Sequence, residues 1–460
     1  MAGDKRKIPT SRVGRAAKIG RVAAGQSVKQ VGTRAANVAR SEEKGAKMLE
    51  KRQVEMAEQI VDALGSMKGA AMKLGQVMSF LDVGLVPEEY REDFQAKLAA
   101  LRDAAPKVAF KDMKKVVEQE LDGKLSEFFS DFDEEAIAAA SIGQVYRATT
   151  VDGVDVAVKV QYPGVNAAVR ADMQNLGMIM RLMQRMAPGL DAKGLAQEIR
   201  ERIHEELDYE LEASNQRRMA RIFRGHPFIV IPEVLGDLCR ERVITTAFAE
   251  GRGFEEVRED PAVDRDRLGE IIFRFYYGCM YRHRAFSGDP HPGNFRLLDD
   301  GSVAFLDFGL FKVIDSEVAD VELESQRLID ARDFEGLRRL WGDHGFLNDP
   351  SRMDLDTLAA YVDDIAWWYM RDEVVELEPD IATQVMLEMG DPRGKHFARM
   401  RHESLPPEHL FGRRLEMLTL AVIGQLHAKN NWYRIAREWI YDDAPVTELG
   451  RLEAEFYSRA

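Results

Sequence analysis

The stretch Phe286-Ser-Gly-Asp289-Pro-His291-Pro-Gly-Asn294-Phe, followed by Val303-Ala-Phe-Leu-Asp307-Phe308-Gly309, constrains this chain more than any other. Asp289 and Asn294 stand five apart, and Asp307 comes thirteen residues after the Asn. Pro and Gly between the polar residues call for a tight turn, and Val303 to Leu306 is an apolar run that reads as a strand delivering Asp307. Phosphoryl transfer needs this residue set. One Asp receives a hydroxyl proton, while an Asn and a second Asp hold Mg²⁺, because the transition state spreads negative charge over oxygens that metal ions neutralise. The competing reading is a Pro/Gly-rich turn before an ordinary buried strand. Each short motif is weak alone; the ordered set is what carries the argument.

The same grammar orders a protein-kinase core, and earlier stretches fit it. Residues 136–162 read as a β-hairpin. Ala138-Ala139-Ala140-Ser141-Ile-Gly143-Gln144-Val-Tyr-Arg-Ala runs through Asp152-Gly153 into Val154-Asp-Val-Ala-Val-Lys159. The second strand ends in Val-Ala-Val-Lys, the context of a lysine that pairs nucleotide phosphates. The first lies where a kinase carries its Gly-rich loop; alanines and a serine replace most glycines, so backbone amides can still face phosphate from a stiffer loop. Gly194 to Phe223 reads as a long helix with acids at Glu205, Glu206, Asp208, Glu210 and Glu212. Asp208 and Glu212 are four apart on one face and Glu206 is on another, while Glu205 and Glu210 read as a solvated face. Ile229 to Pro232 and Arg242 to Thr246 read as short strands, and Ala247 to Gly251 as a hinge. Beyond it Leu268 to Arg284 is an aromatic-rich helix, Asp315 to Leu340 is helical, and Trp367, Trp368, Trp432 and Trp439 read as core. No Ala-Pro-Glu signature or long activation segment follows Gly309.

Length and charge narrow the rest. At 460 residues two or more domains or lobes are expected, and the 45% hydrophobic, 31% charged composition is that of a soluble globular protein. Cys239 and Cys279 are the only cysteines, too few for a disulfide framework and without metal-ligand spacing, so both read as core in a reducing interior. No apolar run approaches a membrane span and there is no hydrophobic signal region, which sets the expectation of a cytoplasmic protein. Residues 1–40 hold ten Lys/Arg against one Asp, so the remaining 420 carry −23 within a whole-chain −14. The basic arm is a candidate for peripheral contact with anionic lipid at the inner face of a membrane, or a solvated tail. So acidic a body argues against nucleic acid as a partner. Ser41 to Ala100 is helical in pattern and contains Lys73-Leu-Gly-Gln76 inside an apolar stretch; periodicity alone makes Lys73 a snorkelling surface lysine.

With these pieces in order the chain resembles the UbiB/AarF family of atypical kinase-like proteins, associated with ubiquinone biosynthesis. Lys73-Leu-Gly-Gln76 matches the family's KxGQ motif and Ala138 to Gln144 its alanine-rich loop; Glu206-Leu-Asp208 matches its ExD and Asp289 to Asn294 its catalytic loop. The resemblance implies an α+β, bilobal protein-kinase-like fold. Residues 1–40 are a basic flexible arm, 41–130 a helical KxGQ extension, 131–247 the N-lobe and 248–460 a largely helical C-lobe. It implies that Lys73 and Gln76 lie on a helix folded over the protein-substrate groove, with Lys73 paired to Glu206 and Asp208. It further implies that Lys159 pairs with Glu212, and that Asn294 and Asp307 hold Mg²⁺. Asp289 would be the base or a metal-side carboxylate, and Ala138, Ala139, Ala140, Ser141, Gly143 and Gln144 would contact ATP or ADP. Family members show weak ATPase activity, and some bacterial relatives carry C-terminal transmembrane helices that this sequence lacks. The expected function is an atypical kinase or ATPase serving quinone or isoprenoid-lipid metabolism, with a quinone precursor or another isoprenoid lipid as partner. The alternative is a nucleotide-gated, non-catalytic scaffold that binds lipid or recruits a partner.

Overall fold

The computed structural model describes residues 108–140, 142–170, 207–390 and 406–459, with 173, 176, 197, 200, 204, 205 and 396 between them. The basic arm, Lys73, Gln76, Ser141 and Glu206 lie outside the described residues. The chain divides into two compact units, Met1–Glu210 with Leu235–Thr246 and Leu211–Val234 with Ala247–Ala460.

In the first unit, α1 (Phe110–Glu120) precedes strands β1 (Phe129–Phe132), β2 (Ala138–Ala139), β3 (Gly143–Thr150) and β4 (Asp155–Gln161). The sheet runs β1-β3-β4-β6, with β2 laid on β3 and β6 formed by Val243–Ala247. Strand β4 buries Val156, Val158 and Val160 completely, every second residue, as a half-covered strand requires. Its β-branched side chains suit the pleat. In β3 the partner positions Tyr146 and Ala148 are buried, in the register Tyr146↔Val158 and Ala148↔Val156. The turn between them uses Gly153 at φ +80°, a conformation that side chains avoid, and Thr150 Oγ1 accepts from the Val154 N–H. Helix α1 buries Met113, Val116 and Val117 on one face and ends on Glu120, whose carboxylate takes the Arg242 guanidinium at 2.8 Å.

The long helix expected over Gly194–Phe223 is interrupted. A turn at Leu207 and Asp208 precedes α2 (Tyr209–Ile222), and Asp208 Oδ1 accepts from the Glu210 N–H at 3.0 Å. Asp208 therefore caps the helix, and it does not share a helical face with Glu212. A short acid satisfies the orphan N–H groups of a first turn better than it serves a helix interior.

The second unit continues with β5 (Ile229–Val230), α3 (Phe254–Glu259), α4 (Arg265–Gly278), β7 (Ala285–Ser287), β8 (Phe295–Leu297), β9 (Val303–Phe305) and β10 (Phe311–Val313). Helices α5 (Ser316–Asp330), α6 (Phe334–Asp343) and α7 (Leu355–Met370) follow, then β11 (Val375–Glu376) and α8 (Pro379–Gly390). The chain ends with α9 (Pro407–Gln425), β12 (Lys429–Asn430), α10 (Trp432–Ile440) and α11 (Glu448–Arg459). Small sheets order as β5-β9-β8, β10-β7 and β11-β12. Helix α4 is the core of this unit: Ile271, Ile272, Phe273, Phe275, Tyr276 and Tyr277 are each at most 1% exposed. Phe275 stacks on Phe305 with ring centroids 3.6 Å apart, and Phe273 meets Trp432, Trp439 and Trp368 edge-on or tilted. Each such ring contributes roughly 2–3 kcal/mol of burial. The tryptophans are core, with Trp367 only partly buried, and both cysteines are buried and unbridged.

Two features of α4 depart from a plain aromatic helix. Past Gly278 it widens into a π segment, Cys279–His283, closed by Arg284 at φ +52°. Arg274, fully buried, holds three carboxylates: Glu270 at 2.7 Å, Glu438 at 2.8 Å and Glu453 at 2.9 Å. Among the described residues no helix is long and apolar enough to cross a membrane.

Candidate active site

In the second unit the catalytic-loop candidates are held by backbone hydrogen bonds before any side chain acts. Strand β7 pairs antiparallel with β10, Ser287↔Phe311, and the Gly288 N–H donates to Leu310 O at 2.7 Å. The chain then turns at Asp289. His291 Nδ1 accepts from the Gly293 N–H at 3.0 Å, closing the 3₁₀ turn Pro292–Asn294, and Pro292 sets its first residue. Asn294 donates through Nδ2 to the Asp289 carbonyl at 2.9 Å. Strand β8 follows, in the register Phe295↔Phe305, and the Leu306 N–H donates to Asn294 O at 2.9 Å. Pairing of β8 with β9 thus brings Asn294 beside Asp307, although eleven other residues separate the motifs Asn294-Phe and Asp307-Phe. Asp307 Oδ1 accepts from the Gly309 N–H at 3.0 Å.

Helix α2 lies along the same turn. Asn215 Nδ2 donates to the Phe308 carbonyl at 3.2 Å, and Glu212, 3% exposed, brings its carboxylate against Gly309. A Cβ at Gly309 would stand 3.4 Å from Glu212 Oε2 and 3.5 Å from Asp307 Oδ1. Asp289, Asn294, Asp307 and Glu212 are therefore gathered within one unit. Beneath them Tyr276 is fully buried; burial raises its phenol far above the usual range, and the Asp289 and Asp307 carboxylates add to the shift. It stays a neutral phenol. Asn215 and Tyr276 were not singled out in the sequence; Asn215 stands three residues after Glu212, so the same helical face carries both.

Asn294 Oδ1 and the Asp307 carboxylate are hard oxygen donors, the ligand type Mg²⁺ takes, one neutral and one charged. The donor set fits that cation.

In the first unit the alanine-rich segment is a tight hairpin. Ala138 and Ala139 pair with Val145 and Gln144, and the Ala140 N–H donates to Gly143 O at 2.9 Å. Gly143 has no room for a side chain: a Cβ would meet Val160 O at 2.2 Å. Glycine here serves backbone approach. Lys159 lies on β4 opposite Val145, with its ammonium 5.0 Å from the centre of the Tyr209 ring. Tyr209 is 1% exposed, and its N–H donates to Glu241 O. The fully buried Gln161 amide bonds Leu207 O at 2.9 Å, holding the turn before α2 against the end of β4. Asp208 is exposed and Glu205 half-buried.

The comparisons agree with this architecture. The model of the ABC1 atypical kinase-like domain matches residues 100–337. Rat "Atypical kinase COQ8B, mitochondrial" is 31% identical over 330 residues, 70% of this chain and 60% of its own length. The zebrafish protein of the same name is 31% identical over 313 residues, 66% of this chain and 49% of its own. The chain thus spans about half to three-fifths of these curated relatives. A solved structure of Mycobacterium tuberculosis Rv3197 with erythromycin aligns with a TM-score of 0.61 at 27% identity, over 87% of this chain and 98% of that one. A kinase-like α+β fold with the Asp289, Asn294 and Asp307 turn built into it leads to one conclusion: the chain belongs to the ABC1 (UbiB/AarF) family of atypical kinase-like proteins.

Proposed function

We propose that the protein binds a magnesium nucleotide and transfers its terminal phosphoryl group to water or to a small acceptor, as an ATPase or small-molecule kinase. The observation that carries the reading is the bonded turn of Asp289, Asn294 and Asp307. Asn294 Nδ2 bonds the Asp289 carbonyl and the β8–β9 pair sets Asn294 next to Asp307 along the backbone, which supports Asn294 Oδ1 and the Asp307 carboxylate as the cation's ligands. Bound there, Mg²⁺ would neutralise charge building on the phosphoryl oxygens. Asp289 orients the acceptor hydroxyl or water and accepts its proton as the attacking oxygen closes on phosphorus. Lys159 holds the phosphates and pairs with Glu212. Ala138 to Gln144, Ser141 included, offer backbone amides to the nucleotide, whether ATP or ADP.

The domain organisation and the regulatory set belong to the same proposal. Lys73 and Gln76 of the KxGQ extension, with Glu206 and Asp208, cover the groove a protein substrate would need, so the acceptor is small or is water. Names such as COQ8B among relatives, together with the UbiB resemblance, favour quinone or isoprenoid-lipid metabolism as the setting. The basic segment 1–40 supplies peripheral contact with an anionic membrane.

The test is phosphate release from Mg-ATP by the full chain, with and without anionic liposomes and a polyprenyl-phenol analogue. Asp307→Asn abolishes turnover, and Asp289→Asn lowers it by about 10²–10⁴-fold with nucleotide binding retained. Nucleotide binding with no turnover above Asp307→Asn in any condition would point instead to the nucleotide-gated scaffold.

A further inference from the structure

Helix α9 carries two consecutive arginines that face different tasks. The Arg413 fork is spent on a buried network: Nη2 reaches Glu322 of α5 at 2.8 Å and Nη1 reaches Glu416 at 3.0 Å. His409 Nδ1 lies 2.7 Å from the other Glu322 oxygen, and Tyr281 donates to Glu416 at 3.2 Å while accepting from Gln326. Tyr281 sits in the π segment that runs through Arg284 straight into β7 and Asp289. On that segment α9 also packs closely, since a Cβ at Gly412 would meet Met280 Sδ at 3.3 Å. A network of paired buried charges with few alternative arrangements thus fixes α9 on the stem of the catalytic loop.

One residue further, about 100° around the helix, Arg414 points elsewhere. Its Nη2 stands 3.9 Å from Asp289 Oδ1, with the two side chains only 18% and 21% exposed. From Ala285 to Phe295 the loop has no Lys or Arg of its own. The carboxylate that must approach a polyphosphate therefore meets a cation brought from a distant helix.

We propose that Arg414 is a positioning residue for Asp289, and that the Glu322–Arg413–Glu416–Tyr281 network sets its reach. The inference rests on the phosphoryl-transfer reading above. The guanidinium holds the carboxylate in the orientation that receives the acceptor proton, and it offsets the repulsion between Asp289 and the incoming phosphates. It takes no part in bond changes. The acceptor oxygen bonds phosphorus, the bridging oxygen leaves with ADP, and the proton passes to Asp289. A misplaced base costs on the order of 10²-fold in rate while leaving nucleotide contacts intact.

The experiment measures kcat and KM for Mg-ATP and the Kd of a fluorescent nucleotide on the full chain and on Arg414→Met, Arg414→Gln and Arg414→Lys. Expected are a kcat lowered by about 10–10²-fold in Met and Gln, Kd and KM within about threefold of the parent, and recovery of most of kcat in Lys. Recovery by Lys and not by Gln marks a role for charge that packing would not produce. Should Met fail to fold, Gln and Lys still decide the point. A parent that turns over with all three variants at its rate overturns the role of Arg414 and leaves phosphoryl transfer standing. Variants that lose Kd and kcat together also overturn it. A parent with no turnover above Asp307→Asn overturns both.

Discussion

Arg274 gives the sharpest test of how the second unit is held together. Its guanidinium is fully buried and makes five short bonds, to Glu270, to both oxygens of Glu438, to Glu453 and to Thr447 Oγ1. Arg274→Met would leave three nearly buried carboxylates facing one another with no cation among them. Removing one partner of a buried pair costs about 3–5 kcal/mol. At about 2–4 °C per kcal/mol for a domain of this size, Tm at neutral pH should fall by roughly 6–20 °C. The loss should depend on pH in one direction. Burial already raises the Glu438 carboxyl despite its arginine, and without Arg274 it rises further. Groups raised in the folded state bind protons that the unfolded chain releases, so the variant recovers stability as pH falls from about 7 toward 5. Scanning calorimetry of both proteins at several pH values measures this. A Tm within about 2 °C of the parent at pH 7.5, or a penalty that grows toward acid, would refute the reasoning. Adding Glu438→Gln and Glu453→Gln to the variant should restore part of the loss if uncompensated charge is its source.

Two further outcomes follow from single contacts. Gly143→Ala forces a Cβ to 2.2 Å from a backbone carbonyl, so β3 and β4 must part; a loss of about 1–3 kcal/mol in stability and a weaker nucleotide Kd should appear together in denaturation and titration. His283, with Nε2 2.8 Å from Tyr457 Oη, is pushed down to about 4 by burial and by Arg282 nearby. Its unfolded value is near 6.5, so the unfolded chain binds the proton first and stability drops as pH falls from about 6.5 to 4. His283→Gln should flatten the urea-derived stability curve across that window, by on the order of 2–3 kcal/mol at its acid end; an unchanged slope would show that other groups govern it.

Much of this protein was legible from local pattern. The alternating valines of β4, the Asp152-Gly153 turn and the aromatic run of α4 each carry their own period or turn chemistry, and the structure places all three where that chemistry puts them. Asp289, Asn294 and Asp307 were readable because a turn and a strand can be recognised from a dozen residues. Local pattern failed where a distant partner decides the conformation. Asp208 looked like a residue on a helical face, yet the chain breaks before it; the Gln161 amide bonds Leu207 O and Tyr209 N bonds Glu241 O, fixing the turn that Asp208 then caps. The π segment after Gly278 has no signal of its own, since Tyr281 finds its partners, Glu416 and Gln326, far along the chain. Nothing in the sequence around Arg414 ties it to the loop of Asp289. Only the fold sets it 3.9 Å from Asp289. The sequence by itself determined which residues could do phosphoryl chemistry, because type and spacing are covalent facts. Which charges stand beside them was decided by tertiary structure, because a buried ion is placed by partners from other elements and not by its neighbours in the chain.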